Sequence, residues 1–200
     1  MQLQSVSIES CEVCDVASRV ISIGVIDNKI VYVTENQNIY SIFRYDTDSE
    51  STTFLGEFET DLYLDYNVVN YTHENVIFKV GDYGEETQLI KFSLSDKSIT
   101  MFDFEFYAEH VVAYDKYAYI VKSELNDDEN NPYTSTLYRC NLDTFELEII
   151  SVIEHSIGIA VTSDTDVYAA LDHTDIRKYA LDGTYEDVVI KQKWYNKYFR

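Results

Sequence analysis

Apolar and polar residues alternate in short runs along this chain, and one such run recurs four times. Each copy begins with an aliphatic residue, carries Lys or Arg two positions later and usually has an aromatic residue next. The copies occupy residues 42–48, 89–95, 137–143 and 176–182. Their basic residues at positions 44, 91, 139 and 178 are 47, 48 and 39 residues apart, a spacing typical of repeat proteins. The pattern therefore predicts four structural units of similar size.

Within each unit the alternation has a period of two and is interrupted by turn residues, which predicts four short strands per unit. Asp27-Asn28-Lys29 and Asp182-Gly183 are typical of tight turns between antiparallel strands. An apolar period of 3.6 residues never persists for three turns, so almost no helix is expected. The predicted units span residues 20–58, 66–104, 109–152 and 157–190.

The third predicted strand of each unit carries apolar residues on both of its faces. One face holds Ile42, Leu89, Leu137 and Ile176, and the other holds Tyr45, Phe92, Cys140 and Tyr179. A sheet with a single buried face would alternate more strictly between apolar and polar residues. Burial of both faces indicates that each small sheet lies between neighbouring sheets.

Four-stranded antiparallel units of this length, stacked around an axis, are typical of β-propellers. Residues 20–190 resemble β-propeller blades in general. The resemblance lies in the recurring order of a strand, a turn, a second strand, a loop and then the repeated segment with its aliphatic, basic and aromatic positions. The resemblance implies an all-β, β-propeller-like array of about four four-stranded antiparallel blades. The Trp-Asp dipeptide and other marks of named propeller families are missing, so no family site carries over. A β-sandwich or barrel is the competing fold.

Both ends of the chain resemble additional strands. Residues 3–8 and 194–199 are each predicted to form one strand, with residues 11–18 as a connector. One interpretation joins the two ends into a partial closing blade of a single domain covering residues 1–200. The other makes the chain an excerpt of a larger propeller, or an arc that a partner completes. Closure is favoured because an open arc would expose strand edges.

Charge and composition narrow the function. The chain carries 36 acidic and 15 basic residues, a formal net charge of −21. This balance argues against direct nucleic-acid binding, which needs a basic face, and favours a protein partner with a basic surface, although a plain solvated surface is the simpler explanation. No apolar run reaches the roughly 18 residues of a membrane span, and the first residues lack the features of a signal peptide. Three Cys make no disulfide framework, which favours a reducing compartment such as the cytoplasm.

Candidate ligand-binding residues stand just before the first predicted strand of each unit. They are Glu109, His110, Glu154, His155, Asp65 and Arg19. In a propeller these segments lead into the central channel, where ligands commonly bind. A His beside a carboxylate is a potential general acid or base, but no nucleophile motif accompanies the two Glu-His pairs. Loop residues that only satisfy one another are the competing interpretation, and no catalytic residue is assigned.

Two segments that do not repeat are candidate partner-binding sites. They are the long loop of the third unit, with Asp127, Asp128 and Glu129, and the basic aromatic tail, with Lys193, Trp194 and Tyr195. Aromatic residues between basic ones can stack on bases or lie at an anionic surface. The simpler interpretation of the tail is an arm docked on the acidic body.

Metal and cofactor signals are weak. Carboxylates alternate at Asp46 and Asp48 and at Asp164 and Asp166, but the glycine and distal glutamate of a calcium loop are missing. The pair of cysteines at positions 11 and 14 lacks the two further ligands of a structural zinc site. No metal site and no cofactor are therefore predicted, with weakly bound calcium as the alternative.

The leading functional hypothesis is a non-enzymatic module that mediates protein–protein interaction through the loops of one propeller face. An inhibitor or immunity protein that covers a basic nucleic-acid-binding surface is a special case. The alternatives are a propeller enzyme or carbohydrate-binding lectin with its site at the mouth of the central channel, and an excerpt of a larger propeller. The lack of a catalytic motif favours the non-enzymatic hypothesis.

Overall fold

The strands form four antiparallel sheets of four strands each, preceded in the chain by a two-stranded hairpin. The computed structural model describes residues 2–6, 13–61, 64–81, 86–125, 133–171 and 175–188. The hairpin contains β1 (Leu3–Val6) and β2 (Val13–Ala17). The first sheet contains β3 (Val20–Ile26), β4 (Lys29–Asn36), β5 (Ile39–Asp46) and β6 (Ser51–Glu59). The second contains β7 (Leu64–Tyr71), β8 (Asn75–Val80), β9 (Gln88–Ser93) and β10 (Ile99–Asp103).

The remaining two sheets follow the same plan, with strands paired in chain order. The third contains β11 (His110–Tyr114), β12 (Tyr117–Leu125), β13 (Tyr133–Asn141) and β14 (Leu147–Glu154). The fourth contains β15 (Ser156–Ser163), β16 (Asp166–Leu171), β17 (Ile176–Tyr179) and β18 (Tyr185–Asp187). No helix, and so no membrane-spanning helix, occurs among the described residues.

Local turn chemistry fixes several of these hairpins. Asp27 and Asn28 between β3 and β4 have φ values of 48° and 61°, and Gln37 and Asn38 between β4 and β5 have 53° and 67°. Two consecutive residues with positive φ are what a type I′ turn requires, and this turn matches the twist of antiparallel strands. Asp and Asn adopt that conformation more readily than other side chains. The predicted all-β array of four-stranded antiparallel blades is confirmed.

Apolar side chains from facing sheets pack together in successive core layers. In the third strand of the second sheet, Leu89 packs in the layer shared with the third sheet, and Phe92 packs in the layer shared with the first. In the third sheet, Leu137 faces the fourth sheet and Cys140 faces the second. Burial on both faces of these strands is therefore as the sequence pattern predicted.

The N-terminal hairpin corrects the prediction that residues 11–18 form a connector. Within that segment β2 pairs antiparallel with β1, and Leu3 packs with Tyr32 and Tyr45 on the face of the first sheet that points away from the second. Covering this aromatic face removes apolar surface from water, which explains why a weakly apolar segment becomes a strand. The predicted strand at 194–199, and with it the predicted closing blade, lies outside the described residues.

The first strands of the four sheets lie side by side in the order β3, β7, β11 and β15 and are called here the axial strands. Between two of them, the amide of Asn70 donates to the carbonyl of Val111 at 3.3 Å and accepts from the backbone N–H of Ala113 at 3.0 Å. The C-terminal ends of all four axial strands line one cavity, so these strands run in the same direction. The side of the molecule where they begin is called the start side, and the opposite one the turn side.

Candidate functional site

On the start side, Glu109 anchors a chain of hydrogen bonds that crosses from the third sheet to the fourth. Its carboxylate accepts a short hydrogen bond from the Ser123 hydroxyl and lies 3.7 Å from Nε2 of His155. The Ser123 oxygen is 2.8 Å from the Ser135 hydroxyl, and Ser135 accepts the backbone N–H of Ser156 at 3.2 Å. Because a carboxylate only accepts, the hydroxyl protons point from Ser135 to Ser123 and from Ser123 to Glu109.

His110 belongs to the same group of polar residues. Its Nε2 lies 3.3 Å from the carbonyl of Ser156, which can only accept, so this nitrogen carries the proton. Burial lowers the pKa of His110 below its usual value, and the neighbouring charges of Lys79 and His155 act in the same direction against the opposing effect of Glu109. The neutral imidazole is therefore the form that the fold favours at neutral pH.

Lys79 is a buried cation beside this network that the sequence prediction missed. Lys79 is only 2% exposed. The ammonium lies 3.4 Å from the backbone carbonyl of Glu109 and 4.6 Å from the centre of the Tyr107 ring. The available signal was a single Lys inside β8, a strand in which every residue is buried.

The order of groups in this network fits a structural tether better than a catalytic site. Serine-type catalysis needs a His between the hydroxyl and the carboxylate, whereas here Glu109 lies between Ser123 and His155. Ser135 and Ser156 are completely buried and have no room for a substrate. In the described part of the chain, no buried side-chain polar atom lacks a hydrogen-bond partner. The network therefore joins neighbouring blades through satisfied polar groups.

The other candidate ligand residues lie elsewhere. Glu154 is exposed, and its carboxylate is 3.5 Å from the guanidinium of Arg177. Arg19 hydrogen-bonds Asn36 within the first sheet. The backbone of Asp65 lies in β7, and its side chain is outside the description. The structure thus brings Glu109, His110 and His155 together, while Glu154 and Arg19 bond to other partners.

The candidate partner-binding residues fall in segments that the structure does not describe. These are Asp127, Asp128 and Glu129 in the loop after β12, and Lys193, Trp194 and Tyr195 in the tail. Their roles stay predictions.

The acidic turn considered for calcium is engaged with other groups of the chain. The Asp46 carboxylate accepts the backbone N–H groups of Asp48 and Ser49, and the Lys29 ammonium lies 2.6 Å from it. Among the described residues, no group of three or more His, Cys, Asp or Glu side chains is placed to hold a metal ion. Burial raises the pKa of Cys140 to about 12, so this thiol stays protonated and unreactive at neutral pH.

A cavity of about 460 Å³ opens on the turn side, where no site was predicted from the sequence. All four sheets contribute to it through the ends of their axial strands and the turns that follow. Its lining consists of Val25, Ile26, Tyr71, Thr72, His73, Ala113, Tyr114, Asp115, Ser163 and Asp164. The signal for this site was the repeat itself, because three of the four equivalent turns carry an Asp, at positions 27, 115 and 164, and the fourth carries His73.

Lowering the pH is expected to destabilise the fold through His110. Its pKa in the unfolded chain is near 6.5 and is lowered in the folded protein, so the unfolded state binds more protons below that value. Stability conferred by the neutral imidazole should therefore decline as the pH falls from 7.5 through 6.5. Urea midpoints at pH 7.5, 6.5 and 5.5 measure this decline, and His110→Gln, which keeps a donor for Ser156, should flatten it.

The matched control for that experiment is His73→Gln, since the His73 side chain is 78% exposed. The pH slope of this variant is the reference against which the effect of His110→Gln is judged. Hydrogen bonds lower the pKa values of Asp46 and Asp96 to about 2. The stability that these two carboxylates confer is lost only below about pH 4, outside the pH range of the His110 experiment. Equal pH slopes for the His110→Gln variant and the unsubstituted chain would contradict the prediction.

Comparison with known proteins identifies the fold. No family model and no curated protein matches this chain. The β-propeller domain of the Trilobed protease from Pyrococcus furiosus superposes with a TM-score of 0.67 at 11% identity, covering 96% of this chain and 64% of that one. Porphyromonas gingivalis dipeptidyl peptidase 4 gives 0.60 at 9% identity, with 94% and 35% covered. The tricorn protease gives 0.58 at 10%, with 96% and 24% covered.

This chain therefore spans less than two thirds of the length of each of those chains. At such low identities the likeness concerns the fold alone, and it shows that the chain has a β-propeller-like architecture.

Proposed function

We propose that this chain is a non-enzymatic binding module whose partner is a protein with a basic surface. The observation that carries the proposal is the distribution of charge. Of 51 charged residues, 36 are acidic, and the net charge is −21. An excess of this size attracts a basic partner over long distances and speeds its association.

Ion pairs within the blades strengthen this argument, because they neutralise many of the few cations. The clearest pairs are Lys29 with Asp46, Lys122 with Glu124, Arg139 with Glu148, Arg177 with Asp187 and Lys178 with Asp166, at 2.5–3.2 Å. Ion pairs do not change the net charge, so the excess of 21 acidic over basic residues stays uncompensated within the chain. A surface of this kind repels nucleic acid and favours a basic protein.

The start-side network supports the non-enzymatic part of the proposal. Glu109, His110 and His155 do converge, which a site requires, but their polar atoms bond to one another and to the backbone. The Ser123 hydroxyl donates a hydrogen bond to Glu109 and is not activated by a His. A structural tether accounts for these residues, whereas a catalytic role leaves the order of the groups unexplained.

A second candidate function is a ligand site at the mouth of the central channel, as in the enzyme or lectin hypothesis. The cavity on the turn side favours it, since its volume falls within the range of small-molecule sites. The excerpt hypothesis is a further proposal, since the structurally similar protease chains are longer than this one. As part of a larger protein, the propeller would be its partner-binding domain.

Salt dependence tests the main proposal. We expect that raising NaCl from 50 to 500 mM lowers the association rate of a captured partner about tenfold or more, with a smaller change in its dissociation rate. Partners are captured on the immobilised chain from extracts of cells that produce it, and rates are measured with the purified partner. An association rate that does not change with salt would overturn the electrostatic proposal.

The inhibitor or immunity special case has its own test. If the captured partner binds DNA or RNA, the chain should displace the nucleic acid at equimolar concentration. Simultaneous binding of both would exclude that role while leaving a general binding function intact.

A further inference from the structure

We propose that the turn-side cavity receives an arginine side chain of the protein partner, an inference that rests on the proposed function. The cavity combines carboxylates and tyrosine rings at the point where all four blades meet. A guanidinium is the group that both features recognise, since it pairs with carboxylates through two parallel hydrogen bonds and stacks on aromatic faces.

Charge at the cavity mouth favours a cation. Asp115 and Asp164 belong to its lining, and none of the described residues that line it is Lys or Arg. His73 lies 3.1 Å from the carboxylate of Asp27, in the turn of the first sheet. An anionic ligand would meet repulsion here, which favours a cation over phosphates and carboxylates.

The two lysines next to these turns do not neutralise the cavity. The Lys29 ammonium pairs at 2.6 Å with the carboxylate of Asp46, which belongs to the same sheet. Lys116 lies over the Tyr117 ring, with its ammonium 5.6 Å from the ring centre. Both cations are therefore directed to residues outside the lining, and Asp115 and Asp164 remain available to an incoming group.

The tyrosine rings supply the apolar part of the site. Tyr71 packs against Gly24 of the neighbouring sheet, and its hydroxyl donates to the Ser22 oxygen at 2.9 Å. Burial raises the pKa of Tyr71 to about 12, so the hydroxyl keeps its proton. Tyr114, in contrast, is exposed at the mouth and free to stack on an entering guanidinium.

Hydrogen bonds hold the cavity in shape without a ligand. The hydroxyl of Tyr119 donates to the backbone carbonyl of Asp164 at 2.9 Å, which fixes the turn of the fourth sheet against the third. Asn70 bonds the backbone of β11 just before Tyr114. A preformed site of this kind loses little conformational entropy when an arginine enters.

Peptide titration tests the proposal. Acetyl-Gly-Arg-Gly-amide is added to ¹⁵N-labelled protein, and the amide shifts are followed by NMR. We expect the largest shifts at the cavity residues, above all Tyr114, Asp115 and Asp164. The matched peptide with citrulline, which has the same shape without the charge, should bind at least about tenfold more weakly.

Paired substitutions test the carboxylates. Asp115→Asn together with Asp164→Asn should weaken the arginine peptide about tenfold. Asn tolerates the positive φ of 51° at position 115, so the turn is expected to persist. The control is Glu59→Gln together with Glu105→Gln, which changes the net charge equally at exposed residues outside the cavity and should leave binding unchanged.

The outcomes separate this inference from the broader function. Equal binding of the citrulline or a lysine peptide, equal weakening by the control pair, or shifts away from the cavity would overturn the arginine site. If the arginine peptide fails while partner association still falls with salt, only the cavity inference is wrong. If partner association is also insensitive to salt, the proposed function fails as well.

Discussion

Replacing Phe78 with alanine is expected to lower the free energy of unfolding by about 3–5 kcal/mol. Phe78 is completely buried in β8, in the core layer between the first and second sheets. Its ring meets the ring of Phe58 edge to face, with 4.8 Å between the centroids. Truncation removes this contact and leaves a cavity between two blades that the rigid sheets cannot close by moving together.

Urea denaturation followed by circular dichroism measures this loss through the shift of the midpoint at constant slope. The control is Phe54→Ala, because Phe54 is 48% exposed on the outer strand β6; this change should cost less than about 1 kcal/mol. If Phe78→Ala does not fold, Phe78→Leu keeps most of the volume and should cost less than about 1.5 kcal/mol. Similar losses for the two alanine variants would contradict the packing that the structure shows.

Adding one methyl group at Gly24 is expected to cost about 1–3 kcal/mol and to disturb the turn-side cavity. A Cβ at this position would lie 2.3–2.7 Å from atoms of the Tyr71 ring, far inside van der Waals contact. The Tyr71 ring has little freedom to move away, because its hydroxyl donates a hydrogen bond to Ser22, which lies in the same strand as Gly24. Gly24→Ala should therefore also weaken the arginine peptide, because Tyr71 lines the cavity.

Gly158→Ala is the matched control, as it changes the axial strand β15 at a point where no atom lies within 4 Å of the new Cβ. Its stability should stay within about 0.5 kcal/mol of the unsubstituted protein. Gly24→Ala made in a Tyr71→Ala background should cost less than alone, because the clashing ring is gone. Identical costs in both backgrounds would show that the ring is not the obstacle.

Repeat pattern and turn chemistry made most of the strands predictable. Leu89 and Phe92 are three residues apart and therefore lie on opposite faces of one strand. The sequence alone thus indicated that both faces of this strand are apolar. The segment around β2 was mispredicted because its own pattern of apolar and polar residues is weak. Its strand conformation depends on Tyr32 and Tyr45 of the first sheet, which it covers.

The start-side network was predictable only in part. Each Glu-His pair is visible in the sequence, and its position before an axial strand suggested a shared location. The actual partners are Glu109 and His155, which come from different pairs and are 46 residues apart, whereas Glu154 bonds Arg177. Sequence spacing cannot decide which member of a pair turns inward, because that depends on how two blades pack.

The repeated segment that first revealed the units proved to organise the fold. Residues such as Leu89, Phe92 and Leu137 pack between blades, and the basic residues Lys91, Arg139 and Lys178 form ion pairs. By itself the sequence determined the number of blades in residues 20–190, their strand pattern and the excess of acidic residues, because these follow from local periodicity and composition. Only the tertiary structure decided which turns meet. Asp115 and Asp164 reach one cavity because the axial strands lie side by side and run in the same direction.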